Sequence, residues 1–322
     1  MRAIRMEQTG GPEVLKLGDA PIPEPGPGQA RIKIAAVGLN FIEIYQRIGQ
    51  YKLPLPWTPG GEAAGVVDAV GPGVTQVKVG DRVATSAFTG AYAEYAIANA
   101  WQLAIVPDNV DLKVAAAAML QGMTAHYLSH SLFPLKQGDT ALIYAATGGV
   151  GGLLTQIAKM RGARTLCAVG SEAKAAEARA LGADEVILYR QVDIAQEVRR
   201  LTDGKGVPVV YDSVGKDTFE ASLNSLAPRG YMALFGQSSG PVGPFDPQIL
   251  NAKGSLFLTR PTLVHYIATP EEFRWRSSDV LNWISSGQLR VRIARTFPLE
   301  QAGEAQTYLA SAQALGKVLL EV

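Results

Sequence analysis

The chain is short of the residues that build covalent staples and metal cages. Its 322 residues include one cysteine, Cys167, and three histidines, His126, His130 and His265. One cysteine cannot form an internal disulfide, and a thiolate-rich zinc site is arithmetically impossible. An excess of either charge is also missing. Lys and Arg number 30 against 29 Asp and Glu, so no long-range field gathers nucleic acid or an anionic membrane, which leaves only a local basic groove open. Long apolar runs are absent: no stretch approaches the roughly 18–20 apolar residues of a membrane helix. Residues 1–6 lack the apolar region of a secretory signal. A cytoplasmic protein is the expectation. With 47% hydrophobic and 18% charged residues the chain is globular rather than disordered, and its length suggests two domains.

What is present changes texture near residue 110. Before it, runs at 29–34, 65–70, 81–84 and 92–97 alternate polar and apolar residues, the period of half-buried strands. Gly71-Pro72-Gly73 and Gly80-Asp81 mark turns between them. Residues 40–48 read as a short helix, apolar at Phe41, Ile44, Tyr45 and Ile48. After it, helix 114–132 leads into alternating strands (141–145, 164–169, 185–188, 207–211, 230–235) and helices (150–161, 172–181, 194–201, 218–226). That alternation specifies a parallel sheet covered by helices on both faces. The tail reverts to strand 290–297, helix 299–310 and strand 317–322. The expected fold class is α/β: a doubly wound parallel sheet inserted into a mostly β domain that the C-terminal segment returns to close. The expected bounds are 1–122 plus 290–322 for the β domain and 123–289 for the insertion.

Strand 141–145 runs into Ala146-Thr147-Gly148-Gly149-Val150-Gly151 and then a helix. Against the G-x-G-x-x-G fingerprint, Ala146 replaces the first glycine, while Gly148 and Gly151 keep the second and third. These let backbone approach a pyrophosphate and let helix and strand pack closely. The helix N-terminus adds N–H groups and a positive dipole end. A plain tight turn is hard to sustain in this strand–turn–helix context. The next strand selects the cofactor. NAD readers end it with Asp or Glu for the ribose hydroxyls, but here Val169 is followed by Gly170-Ser171. Lys174 lies on the first helical turn, and Tyr189-Arg190 at the tip of the following strand. A small residue, a hydroxyl, an ammonium and a phenol suit a 2′-phosphate and point to NADPH. A solvated helix lysine is the competing reading of Lys174, and Glu172 is read as complementing the helix dipole.

Seven segments then carry a resemblance. They are Gly10-Gly11-Pro12-Glu13-Val14-Leu15, Asn40-Phe41-Ile42-Glu43, Gly61-Glu62-Ala63-Ala64-Gly65, Gln121-Gly122-Met123-Thr124-Ala125, 145–151, Val210-Tyr211-Asp212-Ser213-Val214-Gly215 and Gly254-Ser255-Leu256. Together they resemble the zinc-free quinone oxidoreductase, or zeta-crystallin-like, branch of the medium-chain dehydrogenases/reductases. The likeness runs from the first strand to the last. It implies a GroES-like catalytic domain, a Rossmann domain and an active site in the cleft between them. It also implies NADPH-dependent quinone reduction and a homodimer. Zinc-dependent members place a Cys near Asn40, a His at Gly61, and a four-Cys lobe. None of these is present, so no metal is expected and alcohol dehydrogenation is disfavoured. A quinone is electrophilic enough that hydride delivery needs mainly orientation and oxyanion stabilisation.

Asn40, Tyr45 and Tyr51 are the catalytic candidates: Asn40 and Tyr45 toward cofactor or substrate carbonyl, Tyr51 as pocket wall. Asn40 as a simple helix cap and the tyrosines as packing are the alternatives. Thr124 would reach the nicotinamide side, unless it is an ordinary helix threonine. Thr147, Gly148, Gly149, Val150 and Gly151 would hold the phosphates, and Gly170, Ser171, Lys174 and Tyr189 the 2′-phosphate. Ser213, Phe235, Gly236, Gln237, Ser238, Phe257, Leu258 and Thr259 would line the nicotinamide pocket. Lys317 would approach the diphosphate, or sit unpaired on a rim, and Arg260 is read either as a contact or as surface. His126 and His130 have a metal-capable spacing but no third ligand nearby in sequence. Cys167 reads as a small hydrophobe. The expected function is hydride transfer from NADPH to a small-molecule quinone. The alternatives are reduction of the C=C bond of enones or enals, and a non-catalytic, NADPH-bound protein touching single-stranded RNA.

Overall fold

The computed structural model describes residues 1–311 and 313–322. It divides into two compact units, Met1–Met123 with Ile267–Val322, and Thr124–Tyr266. Among the described residues no helix is long and apolar enough to cross a membrane.

The first unit is built around strand Gln29–Gly38, ten residues whose apolar positions Ala30, Ile32 and Ile34 alternate inward. Along one edge it pairs antiparallel with Glu62–Val70. Its other edge is shared: residues 29–33 take Tyr95–Asn99, and residues 36–38 take the last strand, Lys317–Glu321. That last strand in turn pairs in parallel with Ile293–Pro298. Ile4, Met6, Ile32, Val37, Leu39, Val67, Tyr92, Phe297, Val318 and Leu320 fill one core. Burying each such side chain is worth about 1.5–3 kcal/mol. Residues more than 250 positions apart therefore share one sheet, as the returning tail required.

The second unit carries six strands, all parallel. Their order is Glu185–Leu188, Arg164–Val169, Thr140–Tyr144, Val207–Asp212, Leu226–Leu234 and Phe257–Thr259. Numbered along the chain, this is the 3-2-1-4-5-6 order of a Rossmann sheet, with its switch point beside the first strand, Thr140–Tyr144. The expected doubly wound sheet is present.

One helix lies elsewhere than its sequence position suggested. Residues 267–289, expected in the inserted domain, fall in the first unit. Helix Pro270–Ser285 packs there: Phe273 meets Trp101 edge-on at 6.2 Å, and Asn109 donates to the Ser285 carbonyl at 3.0 Å. Gly122 leaves room for Val280, whose Cγ1 would lie 2.7 Å from any added Cβ. The helix also announces itself in sequence: Thr269 caps it by accepting from Glu272 N–H, Pro270 opens it, and Glu271 and Glu272 occupy its first turn.

Candidate functional site

At the switch point of the second unit, strand Thr140–Tyr144 turns through Ala145, a non-glycine residue at φ +48°. Held left-handed, it costs on the order of 1–2 kcal/mol. The turn delivers Gly148 as N-cap of helix Gly149–Met160, with its N–H on the Ala145 carbonyl at 2.8 Å. A Cβ on Gly151 would sit 2.2 Å from that carbonyl oxygen, so only glycine lets the helix meet the strand end this closely. Thr147 is buried beside the turn. The first N–H groups of the helix, Gly149 and Val150 among them, face a terminus that no side chain caps. That is the cradle a diphosphate takes.

The neighbouring strand, Arg164–Val169, ends at Gly170-Ser171, and Ser171 caps helix Glu172–Ala180 without using its hydroxyl. Burial, reinforced by the nearby Arg190 charge, pulls the Lys174 ammonium below its usual range. The Arg190 side chain lies over Gly170, with Nε 3.3 Å from where a Cβ would stand. Tyr189 packs edge-on against Tyr144 at 5.9 Å. Two cations held together at a strand tip are stabilised by an anion between them. Arg190 completes this group, although the sequence singled out only its neighbour; its place at the tip of strand Glu185–Leu188 was the available signal.

Ser213 follows strand Val207–Asp212. Its carbonyl accepts from Ser238 N–H, and the Asp212 carbonyl accepts from Phe235 and Gly236 N–H. A Cβ on Gly236 would lie 2.5 Å from the Ser213 oxygen, so the two strand-end loops touch backbone to backbone. Ser213, Phe235, Gly236, Gln237 and Ser238 are thus brought together. Asp212 anchors them, its buried carboxylate accepting from Val214 and Gly215 N–H and from the Thr218 and Ser222 hydroxyls at 2.7–3.0 Å. Thr259 and Leu258 pair with Ala233 and Met232 of the adjacent strand. Phe257 stands apart, two residues back from that end, its ring stacked on Tyr231 at 4.5 Å. Thr124 is buried on helix Leu112–Tyr127, which continues into a π-helical turn at Leu128–Leu132. His126 and His130 stack ring on ring at 4.2 Å, and the described residues contain no cluster of three or more metal-ligating groups.

In the first unit, Asn40 starts helix Phe41–Arg47. Tyr45 and Tyr51 contact edge to face at 6.0 Å, with Tyr51 41% exposed. The Asn40 carboxamide is turned inward: Nδ2 donates to the Gly38 carbonyl at 3.1 Å and to Glu62 at 2.8 Å, and Oδ1 accepts from Lys317 at 2.7 Å. Lys317, expected near a diphosphate or on a rim, is 1% exposed, its ammonium on Glu62 Oε2 at 2.5 Å. The other Glu62 oxygen accepts from Leu120 N–H within helix Leu112–Tyr127, at 2.7 Å. Glu43 is buried as well, accepting from Asn40 N–H at 2.6 Å. Burial pushes its carboxyl up to about 7, against the pull of backbone N–H groups and Lys317 and with a further push from Glu62. Glu43 and Glu62 were not among the candidates. Asn40-x-x-Glu43 has capping-box spacing, and Gly38 was a further signal, since a Cβ there would strike Glu62, Lys317 and the Ala116 carbonyl.

Residues 26–108 match the family model of the alcohol dehydrogenase GroES-like domain, and residues 149–281 that of the zinc-binding dehydrogenases. Over 99% of its length the chain is 45% identical to a quinone oxidoreductase of Pseudomonas aeruginosa, of which it covers 99%. The chain belongs to the quinone oxidoreductase branch of the medium-chain dehydrogenases/reductases. Within that family, a 2-haloacrylate reductase of a Burkholderia species is 41% identical over 99% of this chain and 98% of its own length. The crystal structure of Escherichia coli quinone oxidoreductase complexed with NADPH matches with a TM-score of 0.98, at 40% identity and full coverage of both chains. Both the parallel sheet and the GroES-like unit are those of the family.

Proposed function

We propose that this chain is an NADPH-dependent quinone oxidoreductase acting without a metal. The observation that carries the cofactor is the cationic strand tip. Where an NAD reader would present a carboxylate, Arg190 lies over Gly170 and its charge acts on Lys174, with Ser171 and Tyr189 as their chain neighbours. The turn through Thr147, Gly148, Gly149, Val150 and Gly151 holds the diphosphate on its N–H groups. The touching loops of Ser213 and 235–238, with Leu258 and Thr259, bound the nicotinamide side, joined by Thr124. NADPH, when bound, supplies the hydride. Tyr45 and Tyr51 present phenols that can donate to the developing oxyanion of a quinone. Asn40 fixes the start of the helix that carries Tyr45, while water supplies the remaining proton.

Steady-state rates with NADPH and NADH, using a naphthoquinone, test this reading. NADPH is expected to be preferred at least tenfold in kcat/KM. Lys174→Ala combined with Arg190→Ala is expected to erase that preference by weakening NADPH alone, because a charge-assisted bond is worth about 1.5–3 kcal/mol. Equal rates with NADH would retire the 2′-phosphate assignment. The likeness to a 2-haloacrylate reductase keeps a second acceptor class in view, activated C=C bonds. An alkenal run beside the quinone separates the two.

We also propose a homodimer. Strand Phe257–Thr259 ends the parallel sheet, and among the described residues no strand covers its outer edge. Phe257 is 49% exposed there. An open edge of this kind is a template for a second chain.

A further inference from the structure

We propose that Lys317 and Glu62 are positioning residues for the reaction, an ion pair that aims helix Phe41–Arg47 through the carboxamide of Asn40. The inference rests on the activity proposed above, because it assigns that helix and its Tyr45 to the reacting end.

Four elements meet at this pair. Lys317 opens the final strand, Lys317–Glu321, and Glu62 opens Glu62–Val70. Both side chains are at most 1% exposed, and the ammonium lies 2.5 Å from Glu62 Oε2. The same Glu62 oxygen accepts from Asn40 Nδ2, and the Asn40 oxygen accepts from Lys317. The three groups therefore form a closed ring of charge-assisted bonds, each fixing the other two. The remaining Glu62 oxygen holds Leu120 N–H, part-way along helix Leu112–Tyr127. One turn further on, the same helix carries Thr124. Asn40 sits where its backbone must leave the strand Gln29–Gly38 and enter the helix, and Glu43 holds its N–H from the helix side. Rotation of the Asn40 side chain would break the ring, and the ring in turn fixes the direction in which the helix departs.

The site is built for this pair. A Cβ on Gly38 would come within 2.7 Å of Glu62 Oε2 and 2.8 Å of Lys317 Cε, so a side chain at 38 and the ion pair exclude each other. The final strand is held by pairing Leu319 with Gly38 and Leu320 with Val37, which sets Lys317 at the helix start. With its ammonium engaged by Asn40 and Glu62, Lys317 acts through Asn40 rather than by contacting substrate or cofactor.

Removing one partner alone strands a buried charge and threatens folding. The test therefore uses the paired variant Lys317→Met with Glu62→Gln, alongside Lys317→Arg. Three quantities are measured: kcat with NADPH and a naphthoquinone, the NADPH dissociation constant by fluorescence titration, and amide hydrogen exchange across residues 41–47 of the free protein. The expected result for the paired variant is a loss of at least tenfold in kcat, an NADPH dissociation constant within threefold of the parent, and faster exchange at 41–47. Arginine at 317 is expected to restore most of both losses. Parental kcat, or unchanged exchange, overturns the proposal. A fall in NADPH affinity that tracks the fall in kcat also overturns it, because the ammonium would then be a cofactor ligand. Should the parent protein fail to reduce quinones, the activity assignment falls by itself. The exchange measurement then decides the pair: faster exchange reversed by arginine upholds it, and unchanged exchange overturns it. If the paired variant does not fold, Glu62→Asp decides, because it keeps the charge but withdraws the carboxylate from Asn40: an unchanged kcat and exchange at 41–47 overturns the proposal, and a loss of both supports it.

Discussion

Glu43 carries a charge question of its own. Its carboxyl rises from 4.5 to about 7, chiefly because burial disfavours the anion. A carboxyl that binds its proton more tightly in the fold stabilises the fold at low pH. That stability is present in full below about 4.5, declines as the pH rises toward 7, and is flat above it. The span is worth about 3 kcal/mol. Thermal melts from pH 5 to 8 are expected to show stability falling toward neutrality. Glu43→Gln should flatten that slope, and an unchanged slope would place the titrating group elsewhere. At this scale legibility depended on spacing. Glu43, three residues from Asn40, was not among the candidates although its capping-box spacing was a local signal. The contact with Lys317, 277 positions away, left no such signal, because nothing local in a sequence records which lysine a returning strand delivers. Asn40 stood between two readings, cap or ligand, and its carboxamide is now accounted for by Gly38, Glu62 and Lys317.

Elements were easier to read where periodicity and turn chemistry agreed. Strand 141–145, the glycine turn and the helix after it follow from burial and the need for close approach. Two of the three glycines of that helix, Gly151 and Gly152, separate packing from permissiveness. A Cβ at Gly151 would meet only backbone, at 2.2–3.0 Å, whereas at Gly152 its nearest neighbour is the tip of Leu181 at 3.2 Å. Gly151→Ala is expected to cost about 1–3 kcal/mol in stability and at least tenfold in NADPH affinity. Gly152→Ala should cost little of either. Melting curves with nucleotide titrations check this, and equal behaviour of the two variants would contradict it. Helix Pro270–Ser285 shows the opposite case. Its start signals were legible, but its place in the first unit depended on Trp101, Gly122 and Asn109, contacts that lie far away in sequence.

For the molecule as a whole, the Phe257–Thr259 edge of the parallel sheet, with its half-exposed Phe257, is the edge proposed for association. If two chains join there, light scattering should return twice the chain mass. Phe257→Lys, which puts a charge on a half-exposed edge position, should return a single chain with its NADPH affinity retained. A parent protein that runs as a monomer would remove the dimer from the proposal. That this sheet is parallel was readable because each strand–helix step is local; the order of its strands was not. The closure of the first unit was readable only as a tendency, from the return of strand texture after residue 290.

That closure has a consequence for how the chain is made. The Thr124–Tyr266 segment contains its whole sheet in one continuous stretch and can assemble as soon as it leaves the ribosome. Strand Gln29–Gly38, synthesised long before, keeps part of one edge open until Lys317–Glu321 arrives. During translation the nucleotide-holding half is therefore finished first, and the older half waits, its hydrogen-bonding groups exposed to any passing strand. The buried lysine that completes the first unit is added only after the whole nucleotide-holding half.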